Sequence, residues 1–138
     1  MRPNTPVKVY VAAPWVRKSD AIAAGQQLEK NGFEVTSRWF HHEGNPSDPT
    51  GSTSPLESIQ DQARQDIDDV LRADVLVVLN LEKSEGKAVE TGLAIGASIP
   101  VISVGSRSNI FQTLGVEVQT LEDAIFTIHE LYPRISLA

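Results

Sequence analysis

"VLVVLNLEKSEGKAVETGLAIGASIPVISV", Val75 to Val104, decides the fold. Its first part, Val75–Leu81, is a short and almost wholly apolar β-branched run, the pattern of a strand covered on both faces. A glycine-punctuated loop follows. Ser84–Gly96 holds that loop as it runs into a helix whose first turn carries Glu90, and Pro100–Val104 returns to a β-branched strand. Such a βαβ unit joins two parallel strands through a right-handed crossover. Ala88, Gly92 and Gly96, four residues apart, form a side-chain-poor ridge expected to pack closely on the sheet and hold the helix start in place.

The same alternation continues on both sides. Val7–Ala13 (VKVYVAA) is a second buried strand, Ser19–Asn31 a helix with Ser19 as N-cap and Asn31-Gly32 as its stop, and Phe33–Ser37 a short strand. Arg38–Pro55, rich in Gly, Pro, Ser, Asp and His, is a long irregular stretch of the kind that carries function. In Leu56–Ala73, an apolar stripe of Leu56, Ile59, Ala63, Ile67, Val70 and Leu71 at helical spacing is expected to face the core. Val116–Gln119 makes a fifth strand and Leu121–Tyr132 a last helix. Residues 1–138 therefore read as a single α/β domain, a doubly wound parallel sheet of about five strands.

With 12 basic and 18 acidic residues the chain has a formal charge of -6, which opposes binding to a nucleic acid polymer. The absence of cysteine excludes disulfides, thiolate metal sites and a cysteine nucleophile. No apolar run is long enough for a signal peptide core or a membrane span, so a cytoplasmic protein without membrane contact is expected.

Ligands of open parallel sheets bind beyond the carboxyl ends of the strands. This places the site on the loops Ala13–Trp15, Trp39–Pro55, Asn80–Gly86 and Gly105–Asn109. Glu90 lies at that end. An acid near a helix start is a common surface feature, but the same helix field would keep a nucleophilic carboxylate ionised. On the preceding helix a wheel sets Asp66 at the edge of the apolar stripe and points Asp68 and Asp69 away from it, leaving Asp66 as the half-buried acid, either a surface salt-bridge partner or a group with a raised pKa suited to proton transfer. Asp74, at the opposite end of its strand, reads as structural. Tyr10 is either a phenol that hydrogen-bonds a carboxylate on a neighbouring helix or a core aromatic with a satisfied hydroxyl, and Trp15 and Trp39 can stack on a base or cover the core. Ser84-Glu85-Gly86-Lys87 opens a helix in the geometry that captures anions on free amides, though neither the Walker nor the dinucleotide-binding spacing is present. His41-His42-Glu43 lacks a third fixed ligand, so no metal and no cofactor are expected.

Four segments, "VYVAAPW" (Val9–Trp15), "ARQDIDDVLRADVLVVLN" (Ala63–Asn80), "SEGKAVETGLAIGASIPVISVG" (Ser84–Gly105) and "SRSNIF" (Ser106–Phe111), resemble the nucleoside 2-deoxyribosyltransferase family, which includes deoxynucleoside 5'-monophosphate N-glycosidases. The resemblance implies a flavodoxin-like, Rossmann-like fold. It also implies Glu90 as nucleophile on the anomeric carbon of 2-deoxyribose, Tyr10 as its orienting partner and Asp66 as proton donor and acceptor for the base. Trp15 and Trp39 would contact the base, and Ser84, Gly86 and Lys87 the sugar's 5' side. Asn80 and Asn109 complete the expected substrate contacts. The partners implied are a small deoxynucleoside or deoxynucleotide and a nucleobase, and the chain is expected to form a homo-oligomer, a dimer or larger.

The expected reaction is transfer of deoxyribose between bases through a glutamyl-deoxyribose intermediate. Two departures from the family favour alternatives. Transferases often carry a Gly-Thr pair before the glutamate, where this chain has Gly86-Lys87-Ala88, and Lys87 suits a 5'-phosphate. The closing "HELYPRISLA" also lacks the asparagine that transferases lend to a neighbouring subunit. The alternatives are a monophosphate N-glycosidase that hydrolyses its substrate, and a nucleotide-binding module without turnover.

Overall fold

The structure, a computed structural model, describes residues 5–42 and 54–133. The strands are β1 (Lys8–Ala12), β2 (Glu34–Val35), β3 (Val75–Leu79), β4 (Val101–Val104) and β5 (Val116–Val118). The helices are α1 (Lys18–Lys30), α2 (Leu56–Leu71), α3 (Glu85–Gly96) and α4 (Leu121–Leu131). Short 3-10 turns occupy Trp15–Arg17, Trp39–His41 and Ile110–Leu114. The strands form one five-stranded parallel sheet in the order β2-β1-β3-β4-β5. This is the flavodoxin-like winding. Because the chain moves one way from β1 to β2 and the other way from β2 through β3 to β4, right-handed crossovers put α1 on one face and α2 and α3 on the other.

The central strands explain the hydropathy. Every residue of β3 is buried, as are Val9, Tyr10, Val11 and Ala12 of β1, so alternation gives way to continuous apolar runs. A fully buried valine contributes roughly 1.5–3 kcal/mol of transfer free energy, and these valines form the floor on which the site is built. Asp74 reads as structural here too: its carboxylate accepts the Lys8 amide at 2.9 Å, and the Tyr132 hydroxyl donates to its carbonyl oxygen at 3.2 Å.

The element order follows the sequence reading, and several details correct it. Helix α1 begins at Lys18 without a side-chain cap, so Ser19 lies within its first turn, while Asn31 caps its end and Gly32 turns the chain at φ 87°. The apolar stripe of α2 does not face the core. Leu56, Ala63, Ile67 and Leu71 are exposed, and Asp69 and Val70 are the buried residues. The helix is rotated because Asp69, expected to point away, finds a full set of donors inside. The ridge of Ala88, Gly92 and Gly96 is likewise exposed, and a Cβ at either glycine would meet nothing within 4 Å. It does not pack on the sheet. Of the long irregular stretch, residues 43–53, including Glu43, lie outside the described residues, as do the last five residues of the closing segment.

Candidate active site

The sheet changes direction between β1 and β3, and a cleft of about 640 Å³ opens there, beyond the carboxyl ends of both strands. Ala13, Pro14, Trp15 and Val16 contribute from the end of β1, and the run Glu82–Lys87 from the end of β3. Trp39, Asp66 and Glu90 complete it from the segment after β2, from α2 and from α3.

Glu90 is at the base of this cleft. Ser84 caps α3, its hydroxyl accepting the Lys87 amide at 3.2 Å, so the helix starts at Glu85 and Glu90 falls in the second turn, not the first. The helix field fades within one turn. The residue as a whole opens onto the cleft, but its carboxyl is enclosed by protein, and that burial pushes its pKa up to about 8. The expectation that the helix keeps it ionised is therefore corrected: desolvation outweighs the dipole. The Tyr10 hydroxyl donates to Glu90 Oε2 and works in the opposite direction, favouring the carboxylate. Tyr10 is fully buried in β1, and burial next to Glu90 drives its own pKa far up, so the phenol remains a donor at every accessible pH.

Asp66 comes to the cleft from α2 at the half-buried position read from the sequence. Its Oδ1 is withdrawn from solvent and has no hydrogen-bond partner among the described residues. An unpaired buried carboxyl oxygen is costly and marks a place where a ligand donor fits. Burial first, and the charge of Asp69 second, raise its pKa to about 6, with Arg38 opposing.

The two tryptophans line the same cleft, their ring centroids 5.8 Å apart and tilted by 37°. Trp39 is also core: it is buried and its indole N–H donates to the Val11 carbonyl at 2.9 Å, which locks the ring plane. The Lys18 ammonium stands 5.4 Å from the Trp15 ring, a cation–π backing on that wall. Lys87 lines the cleft but is buried, and its Nζ donates to the Glu82 carbonyl at 2.6 Å, bracing the loop that precedes α3. Burial lowers its pKa.

Trp15, Trp39, Asp66, Ser84, Gly86, Lys87 and Glu90 are thus brought together, with Tyr10 behind Glu90. Asn80 and Asn109 are not among the cleft residues. Asn80 forms a reciprocal amide pair with the buried Gln112 at 2.9 and 3.1 Å, and Asn109 caps the turn Ile110–Leu114. Asn109 borders a separate depression of about 320 Å³ that shares Ser84 with the cleft. Pro14, Glu82 and Lys83 fall within the loops assigned to the site by position, but nothing in their residue type singles them out; Val16, one residue beyond its loop, was missed. The fully buried Asp69, which helical periodicity assigned to solvent, was missed for a different reason. No helix among the described residues is long and apolar enough to cross a membrane.

Fold and cleft together define a flavodoxin-like α/β protein with a cleft at the β1/β3 switch point, where sheets of this winding bind their ligands. No protein-family model matches the sequence, and no curated protein matches it. Solved structures do. A conserved protein from Enterococcus faecalis superimposes with a TM-score of 0.69 at 19% identity, over 92% of this chain and 99% of that one. A 2-deoxyribosyltransferase from the psychrotolerant bacterium Bacillus psychrosaccharolyticus gives 0.65 at 17% identity, over 86% and 90%. A CMP N-glycosidase from Clostridium botulinum gives 0.54 at 15% identity, over 91% and 99%. At these identities the likeness establishes a common fold.

Proposed function

We propose that this chain cleaves the N-glycosidic bond of 2'-deoxynucleosides and transfers the deoxyribosyl group to another nucleobase through an ester on Glu90. The observation that carries this reading is the Tyr10–Glu90 hydrogen bond at the base of a cleft that also holds two aromatic walls and the unpaired Oδ1 of Asp66. Similarity of fold to a 2-deoxyribosyltransferase and to a CMP N-glycosidase supports it.

In the first step a Glu90 carboxylate oxygen bonds to C1' as the C1'–N bond breaks. The electron pair leaves with the base, whose nitrogen takes a proton from Asp66. In the second step the nitrogen of an acceptor base attacks C1', the ester oxygen departs with its electrons to restore the carboxylate, and Asp66 recovers the proton. A carboxylate nucleophile and a carboxylic acid are the pair that retaining glycosyl transfer requires. Trp15 and Trp39 hold the base and limit access of water to the ester, which favours transfer over hydrolysis.

Four carboxyl groups, Asp66, Glu82, Glu85 and Glu90, line the cleft against two ammonium groups, Lys83 and Lys87. Lys87 is already engaged with a carbonyl. This balance favours an uncharged nucleoside. The second reading, hydrolysis of a 5'-monophosphate, draws on the amino terminus of α3, where Ser84 and Gly86 border the cleft and amides can receive a phosphate. Incubation with deoxynucleosides and deoxynucleotides, each with and without a free acceptor base, separates the two. A new deoxynucleoside formed from the acceptor supports transfer. Free base and sugar phosphate released irrespective of acceptor support the hydrolase, and no turnover of either substrate class contradicts both.

A further inference from the structure

Four consecutive residues after β2 are stitched alternately to α2 and to β1. The Thr36 hydroxyl donates to the Asp69 carbonyl at 2.9 Å, and the Ser37 hydroxyl oxygen accepts the Val11 amide at 3.1 Å. Arg38 returns to Asp69: its backbone amide and Nε both reach Oδ2 at 3.1 Å, and Nη2 reaches Oδ1 at 2.7 Å. Trp39 closes the series on the Val11 carbonyl at 2.9 Å. Arg72 adds a further donor to Asp69 Oδ1 at 2.9 Å. Asp69 is fully buried, one helical turn after Asp66, whereas the Arg38 side chain is half exposed.

A buried carboxylate with this many donors is expensive to build for stability alone, since replacing a buried ion pair by apolar groups is often neutral or favourable. Its location gives it another use. Arg38 immediately precedes the tryptophan that walls the cleft, and Asp69 shares a helix face with the acid that lines it.

We propose that Asp69 and Arg38 form a positioning pair, which holds Asp66 and Trp39 at a fixed relation to one another and supplies the charges that act on the Asp66 carboxyl from behind the cleft. The part of this that concerns catalysis rests on the deoxyribosyl-transfer reading; the placement and titration of Asp66 do not. The charged and titratable groups around Asp66 are Asp69 on its own helix, Arg38 from the segment after β2, Glu90 from α3 and Tyr10 from β1. Asp69 acts to keep the proton on Asp66 and Arg38 acts to remove it. The two halves of one ion pair thus act on the neighbouring carboxyl in opposite directions.

The test is a carboxyl carbon NMR titration of Asp66 in the wild type, Asp69→Asn and Arg38→Ala, with Arg38→Lys as the conservative variant. It needs no turnover, so it reads the pair even if the proposed reaction fails. Asn at 69 removes the negative charge and leaves both Arg38 and Arg72 uncompensated, lowering the Asp66 pKa by about one unit; Ala at 38 does the reverse, and Lys restores most of the wild-type value. Where deoxyribosyl transfer is active, the acid limb of kcat/KM follows the same shifts, with kcat changing more than KM. An Asp66 titration unmoved in both variants, or moved in the same direction in both, would overturn the proposal. If Asp69→Asn does not fold, the half-exposed Arg38 variants still give a decisive sign.

Discussion

At Glu90 two physical effects compete, and their balance sets the pH behaviour of the site. Burial lifts its pKa to about 8 while the Tyr10 hydrogen bond pulls it down, and Asp66 titrates near 6. Between these values the pair holds one proton, mostly on Glu90. The proposed first step needs that proton on Asp66, so the productive form is the minor tautomer of the singly protonated pair. A bell-shaped kcat/KM profile follows, with its acid limb near 6 and its alkaline limb near 8. Removing the phenol in Tyr10→Phe raises the Glu90 pKa further. The alkaline limb should move to higher pH and the plateau should fall by roughly 10- to 100-fold, as expected for losing a hydrogen bond to a charged group. An unchanged limb would mean that the phenol does not act on Glu90. Stability carries the same signature. The native state holds an extra proton between the ordinary carboxyl value of 4.5 and about 8, so the stability Glu90 contributes is present below 4.5 and lost as pH rises through about 8. Glutamine cannot ionise. The melting temperature of Glu90→Gln relative to wild type should therefore increase across that window and level off above it, whereas a pH-independent difference would contradict the burial argument.

The elements were legible to different degrees. β1, β3 and β4 announce themselves as apolar runs because they are covered on both faces, and Asn31-Gly32 marks the end of α1 by its chemistry, whereas the Ser84 cap of α3 went unread and Glu90 was placed one turn too early. The orientation of α2 was not legible. Periodicity reports where apolar residues recur, and it assigns a carboxylate to solvent unless something inside neutralises it. Here Arg38, far away in sequence, does so for Asp69, and the helix turns a polar edge inward. For the same reason Asp66 could be found at the margin of the stripe while Asp69 could not. The amide pair of Asn80 and Gln112 is a comparable case, since two residues 32 apart satisfy each other and withdraw Asn80 from the cleft. At Gly115 the chain from the last 3-10 turn passes so close to β4 that a Cβ would lie 2.3 Å from the Val101 carbonyl oxygen. Gly115→Ala should cost about 3 kcal/mol in chemical denaturation, the range of an overpacked core, while activity per folded molecule is retained. A neutral substitution would show that β5 docks more loosely than the structure indicates.

On the scale of the whole molecule, the apolar residues that α2 fails to bury remain on its surface. Ile67 and Leu71 of α2 are exposed, as are Val89, Gly92 and Gly96 of α3. Exposed apolar helix surfaces of this kind are where the homo-oligomer implied by the family resemblance would make contact, and the oligomeric state tests that expectation. Sedimentation velocity should give a particle of at least two chains, and Leu71→Glu should shift it towards the monomer. A wild-type monomer at high protein concentration would leave that surface without this role. The cleft itself is lined by residues of one chain, around the β1/β3 switch point.

The account depends most on a covalent bond between Glu90 and the sugar. Mixing the protein with a 2'-deoxynucleoside, quenching in acid and mapping the peptides by mass spectrometry tests this directly. The expected result is a deoxyribosyl adduct on the peptide containing Glu90, present in wild type and absent from Glu90→Gln. Release of base by the wild type with no adduct on any carboxylate, or with the sugar attached elsewhere, would contradict it.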